Sequence, residues 1–538
     1  MSSRSFGSEW ITAASRLSGF ALTGRLGLRL TGCGSRCTGL QHEFLPWWSH
    51  DADSARELYG GHFVLAGHGV RCRPHLVFDQ AHPQPDWTRE LHGFRWLGHL
   101  CGNGLGLYRT FARGLVSKWM TCSVRPCRGT DTVRLVSLTC YAGALLKESS
   151  AEFEALFLRG MSREVRRALR AIPRDAVGKL VLCLALLMAS LAFSGLEGLR
   201  PAMLARACTL LDDVILADGG HRNRNNRDLA SLVEMLWRIR SAMEALRLVM
   251  PDPLAAALDR GSAMVRLLTL GDGRLAGFGV GGGPVPEWTR VENHPAEPER
   301  LAVQVARQSG YVRLEQGRSV VLLDGGSGAG HHGLGFEWSY GPLRMIVSCG
   351  CPVAADGRWT AAAQSVSAHS GLDARWPDGC DSNRAGWFGG AKTGVWSMAF
   401  RSAWTAVGAL GVARLARTGG GPLASHERFL FLAFDGVDLR GQDDIEVAAG
   451  GEAEFAVRFH LHPDVTVEVS RRPDEILLKA ADGSFWEFAA RGHPVSLEES
   501  VHFAAGEAGR RSSQIVVRGH AHGTASVRWA FRKRLASS

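Results

Sequence analysis

"GVGGGPVPEW" (279–288) is the point at which the hydrophobic period of the chain changes, and the fold is read outward from it. On its N-terminal side apolar residues recur at helical spacing. In "SAEFEALFLRGMSREVRRALRAI" (150–172) Phe153, Leu156, Met161, Val165 and Leu169 fall on one stripe, with Arg and Glu opposite. The stretch 176–217 is apolar nearly all round, which predicts a helix enclosed by other helices, and a further helix follows over 229–249. Residues from about 91 to 270 therefore predict a run of antiparallel helices without strands.

On the C-terminal side the period is two. "YVRLEQGRSVVLLDGG", "LRMIVSCG", "ERFLFLAFDGVDLRG", "AEFAVRFHLHPDVTVEVSRR", "EILLKAADGSFWEFAARG", "SQIVVRG" and "ASVRWAFRKR" alternate and end in Gly, Asp or Pro turns. The expectation is three parts: an Arg-rich segment over 1–60, a helical domain over 61–285 and an all-β domain over 286–538. Residues 383–421, rich in Gly and Ala, alternate only weakly and give no clear reading.

Bulk numbers bound the function. A chain of 538 residues exceeds one ordinary core. The net charge of +10 is carried by arginine, since only six of the 62 basic residues are Lys, and the arginines are spread over the whole length. No basic stripe interleaved with aromatics is present, so nucleic acid is not the expected partner; an acidic polysaccharide suits the same charge. The twelve cysteines form no paired zinc spacing and predict no disulfide framework. Among the first forty residues Arg4, Arg16, Arg25, Arg29 and Arg36 stand against Glu9, without the apolar run of a secretory signal. The longest apolar run, "LVLCLALLMASLAF" (180–193), is too short to span a bilayer of ~30 Å at ~1.5 Å per residue.

Two segments carry candidate chemistry. In "LLDGGSGAGHHGLGFEWSYGPLRMIVSCG" (322–350) a glycine-rich turn delivers His331 and His332 onto an alternating strand; the pair reads as an acid/base, a plain turn or a metal ligand set. In "DGGHRNRNN" (218–226) a Gly-Gly turn is followed by His221, Asn223, Arg224, Asn225 and Asn226. Gly and Asn also favour helix caps, so capping is the alternative to a binding loop. His460 and His462 alternate with Phe459 and Leu461 and share one strand face, as a metal pair or a structural pair.

The order of several strings resembles the heparinase II/III family of polysaccharide lyases: "WTRELHGFRWL" (87–97), "LADGGHRNRN" (216–225), "DGGSGAGHHGLGFEW" (324–338), "SVSAHSG" (365–371), "RFHLHP" (458–463), "LEESVHF" (497–503) and "VRWAFRKR" (527–534). The resemblance implies an incomplete (α/α) toroid followed by an antiparallel β-sandwich domain, with an acidic, uronate-containing glycan as substrate and a cell-envelope setting, although no signal peptide is readable. It implies β-elimination, in which neutral or cationic donors offset the carboxylate while an acid and a base move protons.

The lyase reading takes His331, His221, Asn225 and Arg224 as catalytic, and Asn223, His332, His369 and Trp338 as substrate-binding; of these, His331, Arg224, Asn225 and His369 are the positions that match the family strings. A protein that binds glycan without turnover, stacking sugars on Trp338 and Trp359, is the alternative; a hydrolase would need Asp218 and Asp228. Departures from the family pattern are specific. Asp228 or a neighbour stands where a tyrosine is expected, Ser117 where an asparagine is, and Val347-Ser348-Cys349-Gly350 where an Asp-bearing metal string is. No cofactor is therefore expected, with a divalent metal held by these degraded strings as the alternative.

Overall fold

The structure, a computed structural model, describes residues 36–534 apart from 49, 81, 103, 123–128, 279–282, 285–302, 327–332, 352–356, 376–394, 419–422, 449–450, 469–474 and 505–508. The chain forms two compact units. One runs to Val214 and takes in Leu232–Asp259; the other holds Ile215–Ser231 and the chain from Arg260 onward. The segment 215–231 and the described residues between Arg260 and Pro284, read from sequence as part of the helical domain, thus cluster with the strands.

The first unit is helical: α1 (Ala52–Tyr59), α2 (Pro85–Gly93), α3 (Gly106–Thr121), α4 (Asp131–Cys140), α5 (Ala151–Arg170), α6 (Ala176–Ala192) and α7 (Arg200–Val214). Two further helices, α8 (Asn226–Ala245) and α9 (Asp252–Leu267), cross the unit division. Sequence dictates the starts. The Ser150 hydroxyl accepts the Phe153 N–H at the head of α5, and the Asp175 carboxylate accepts the Gly178 N–H at the head of α6. Helix α6 is buried from Leu182 to Ala192 and packs against α4, α5 and α7, as its all-round apolar sequence requires. Between α4 and α5 the buried Glu164 accepts from Arg134 Nε at 2.7 Å and from Arg167 Nη1 at 2.5 Å. No helix of the described residues is long and apolar enough to cross a membrane.

The second unit is a two-layer antiparallel sandwich. Its strands are β1 (Val303–Ala306), β2 (Tyr311–Gln316), β3 (Ser319–Asp324), β4 (Phe336–Tyr340), β5 (Leu343–Val347), β6 (Leu372–Arg375), β7 (Val395–Thr405), β8 (Gly408–Thr418) and β9 (Leu423–Ala433). They continue with β10 (Asp438–Val447), β11 (Glu452–Leu461), β12 (Thr466–Glu468), β13 (Glu475–Lys479), β14 (Phe485–Arg491), β15 (Val495–His502), β16 (Arg510–His522) and β17 (Thr524–Lys533). One layer pairs in the order β1-β2-β3-β4-β5, then β11-β16-β15, with β6 beside β5 on the same edge of β11. The other runs β7-β8-β9-β10-β17-β14-β13-β12. The β16–β17 turn, where His522 faces Thr524, carries the pairing from one layer into the other. Of residues 383–421, weakly patterned in sequence, the described part forms the eleven-residue strands of the β7–β8 hairpin, Val395–Thr405 and Gly408–Thr418.

The apolar faces of both layers meet in one core of alternating residues, with Trp338 edge-on to Trp486 at 4.9 Å and Phe336 stacked on Trp529 at 5.4 Å. A buried ion network ties the layers. Asp443 on β10 accepts from Arg428 Nε at 2.6 Å and His426 Nε2 at 2.8 Å, and Arg428 Nη1 donates across to the carbonyls of Leu334 and Ser370 at 2.7 and 2.9 Å. Burial alone would raise the Asp443 pKa, but the Arg428 guanidinium and the His426 contact outweigh it and hold the carboxyl well below its usual range.

Candidate functional site

The loop after α7 belongs wholly to the second unit and is fastened there by its own side chains. A bridge between Ile215 and His221 closes the turn, and Leu216 N–H donates to the Gly220 carbonyl at 2.8 Å. Gly219 must be glycine: its φ is +86°, and a Cβ would lie 2.0 Å from the Arg260 carbonyl oxygen. The Asp218 carboxylate then accepts from Gln308 N–H at 2.8 Å, Ser309 N–H at 2.7 Å and the Ser309 hydroxyl at 3.0 Å, stapling the loop to the β1–β2 turn.

Arg224 takes a left-handed backbone, φ 56°, and lays its guanidinium 4.5 Å from the centre of the Tyr311 ring. It donates to the Ser309 carbonyl and to Asp324, the last residue of β3. Burial works against the charge, but Asp324 outweighs it and the pKa of Arg224 is raised. Asn225 caps α8: its Oδ1 accepts the Asp228 N–H at 3.2 Å, and its Nδ2 donates to the Asp228 carboxylate at 2.8 Å. Burial raises the pKa of that carboxyl. Tyr311 donates its hydroxyl to Asn226 Oδ1 at 3.2 Å.

Arg224 and Asn225 thus build the loop, and their donors already have protein acceptors. This revises the sequence expectation that they are free to offset a substrate carboxylate. His221 differs. It is 2% exposed, and burial lowers its pKa to about 4, so it is neutral at pH 7. Its Nδ1 accepts the Asn223 N–H at 3.2 Å, which puts the proton on Nε2. Among the described residues that Nε2, like Asn226 Nδ2, is buried without a hydrogen-bond partner. The Asn223 side chain lies exposed on the same turn.

His331 and His332 lie outside the described residues. The chain approaches them through Gly326, where any side chain would run into the Arg224 guanidinium. His369 is fully buried, with Nε2 3.1 Å from the Ala363 carbonyl, and acts within the fold. Trp338 is 0% exposed and donates Nε1–H to Ser319 Oγ at 3.0 Å, so the expected sugar platform is a core residue. Trp359 is 48% exposed, edge-on to Phe503 at 5.3 Å, and lines a cavity of about 400 Å³ with Cys349, His460 and Ser500. Tyr311 escaped the sequence reading altogether. Its burial pushes the hydroxyl up to about 12, so it stays protonated. The signal was its place at the head of β2, directly across from Asp324 at the end of β3.

The metal reading of His460 fails on its neighbours. Its Nε2 faces the Ser367 carbonyl at 3.0 Å and Nδ1 faces the Ser500 hydroxyl at 2.8 Å, so one nitrogen donates and the other accepts. Cys349, from the string that replaces the family's Asp, lies 3.6 Å from Nδ1 with its thiol pKa raised by burial. His462 turns instead to Asp464 and to the His502 ring. These residues do not fit a divalent cation. Among the described residues no group of three or more His, Cys, Asp or Glu comes together as a metal site.

Comparison with known proteins bears on the family and the fold. Residues 298–530 match the family described as heparinase II/III-like, C-terminal. FtsZ-localized protein C of Caulobacter vibrioides is 29% identical over 502 residues, which cover 85% of this chain and 83% of that protein. A crystal structure of heparinase III superposes with a TM-score of 0.70 at 12% identity, covering 99% of this chain and 92% of that one. A mutant of the heparan sulfate lyase HepC from Pedobacter heparinus gives 0.60 at 13% identity, with the same coverage. The two solved structures speak to the fold alone.

Proposed function

We propose that this protein, whose residues 298–530 form a heparinase II/III-like C-terminal domain on a chain with the heparinase III fold, is a lyase that cleaves an acidic, uronate-containing glycan by β-elimination. In that reaction a base removes the proton beside the uronate carboxylate. The electron pair forms a ring double bond, the glycosidic C–O bond breaks, and the departing oxygen takes a proton; no water is consumed. The carboxylate charge must be offset for the proton to become acidic, and neutral donors in an enclosed site do this without reorganisation.

The observation that carries the reading is the loop of uncharged donors: His221 Nε2–H and Asn226 Nδ2, buried and without acceptors among the described residues, beside Asn223. A buried donor left unpaired costs about 1–3 kcal/mol, so its retention calls for a role. On this reading His221 polarises the carboxylate as a neutral donor, Arg224 and Asn225 position the loop, and His331 is the acid/base. The hydrolase alternative loses support, because Asp218 is fully engaged by backbone donors and Asp228 by the Asn225 cap.

A second reading is a protein that binds an acidic glycan on this fold without turnover. It is favoured by the relative named FtsZ-localized protein C, a name that states a place rather than a reaction, and by the exposed Trp359 beside its cavity. The test is ultraviolet absorbance of unsaturated uronate ends with wild type, His331→Ala and His221→Ala on alginate, glycosaminoglycans and bacterial acidic exopolysaccharides. A rise in wild type that both variants lose supports elimination. Silence of the wild type across the panel, with glycan still bound, favours the second reading.

A further inference from the structure

The outer face of the β7–β12 layer carries a trough that the loop chemistry does not use. It crosses β9, β10, β17 and β14, has a volume of about 420 Å³, and is lined by Phe429, Phe431, Arg440, Arg491, Arg528 and Arg532, with Glu487 as its one acidic lining residue. Strand register explains the shape. One row across the sheet reads Phe429, Gln442, Arg528, Arg491; the next reads Phe431, Arg440, Ala530, Ala489. The alanines keep the floor low, while arginines and phenyl rings stand as walls. Gly441, between Arg440 and Gln442, faces the core instead, where a Cβ would meet the Trp529 ring at 2.0 Å.

The charges are unbalanced in a particular way. Arg440 and Arg532 share Asp438, at 2.6 and 3.3 Å, and Arg528 donates to the Gln442 amide oxygen at 3.0 Å. Arg491 and Arg528, both exposed, are direct cross-strand partners. Like charges placed directly opposite destabilise a sheet, so this pair weakens the fold unless an anion lies between the two.

We propose that this trough is a second binding surface for the same class of acidic glycan, gripping carboxylate or sulfate groups through Arg491 and Arg528 and a sugar face through Phe429 and Phe431. It rests on the lyase reading only for the acidity of the glycan. Its place is on the opposite layer from the loop that Asp324, Ser309 and Tyr311 hold, with a core about 10 Å thick between the two sheets. Guanidinium forks match carboxylates and sulfates two bonds at a time. A peptide adding as an extra strand is excluded here, because β9, β10, β17 and β14 are each paired on both edges.

The test is retention of the full-length protein on heparan sulfate, alginate and polygalacturonate by affinity electrophoresis, at low and high salt. Wild type is expected to be retarded, more strongly at low salt. Arg491→Glu/Arg528→Glu should weaken binding by about tenfold or more, and Arg491→Lys/Arg528→Lys by less, since charge remains but the fork is lost. Both pairs are exposed, and an unchanged thermal melt confirms that the variants fold. Equal retention of wild type and the Glu pair overturns the proposal, as does no retention of wild type on any of the three. Equal or tighter arginine-dependent binding of polyglutamate or DNA overturns the glycan assignment. Arginine-dependent retention without uronate absorbance sinks the lyase reading and leaves this surface standing; absorbance with unaltered retention does the reverse.

Discussion

Arg224 shows how a residue picked out by a motif acquires a different role once its partners are known. Sequence places it among amide and imidazole donors, which suggests a free cation. Structure gives it Asp324, the Ser309 carbonyl and the Tyr311 ring, all brought from strands some eighty residues and more further along. Nothing local to "HRNRNN" announces that an acid at the end of β3 is waiting. Asn225 is the opposite case, because its cap is legible from spacing alone: Asn before a helix, with Asp three residues on. Arg224→Ala is therefore expected to destabilise the second unit by about 3 kcal/mol or more, since it strips the cation from an enclosed carboxylate. Urea unfolding would read this. In a double-mutant cycle with Asp324→Asn, coupling near zero would mean that the pair does not hold the loop.

At the scale of the element, the change of period near residue 281 made the order of helices and strands legible, because strands such as β9, β10 and β11 bury one face and alternate. The β7–β8 hairpin was not legible. Its residues 401–407 are all exposed, so no buried face imposes alternation. Burial of single side chains was the weaker inference. Two tryptophans offered as platforms separate cleanly: Trp338 fills the core against Trp486 and Phe531, while Trp359 stands at a cavity mouth. Trp338→Ala should cost about 3–5 kcal/mol through the cavity it leaves. Trp359→Ala should change stability by no more than about 1 kcal/mol. Matched thermal melts decide it, and similar losses for both would contradict this division.

For the whole molecule, acid is the condition that separates buried histidines from the rest of the charge. His92 in the helical unit, and His221 and His460 in the sandwich unit, are pushed down to about 4 by burial. Burial also lowers His42, His99, His426 and His462. An unfolded histidine titrates near 6.5, so between that pH and about 4 the unfolded chain binds more protons than the folded one. Stability therefore holds above about pH 6.5 and falls as pH drops through the window, by about 1.4 kcal/mol per pH unit for each of His92, His221 and His460. Glu90, Asp228 and Glu337, raised by burial, act with the opposite sign, since a carboxyl that protonates more readily when folded gains stability as pH falls. The fall of His92, His221 and His460 to about 4 spans the whole window and sets the net slope toward loss. Asp443, held low by Arg428, gives up its contribution only below the ordinary carboxylate range and adds nothing to this window. Denaturant midpoints measured from pH 7 to 4.5 should decline, and His460→Gln should flatten the decline by about one proton relative to wild type. A flat profile in wild type would mean that these imidazoles are charged, or solvated, in the folded protein.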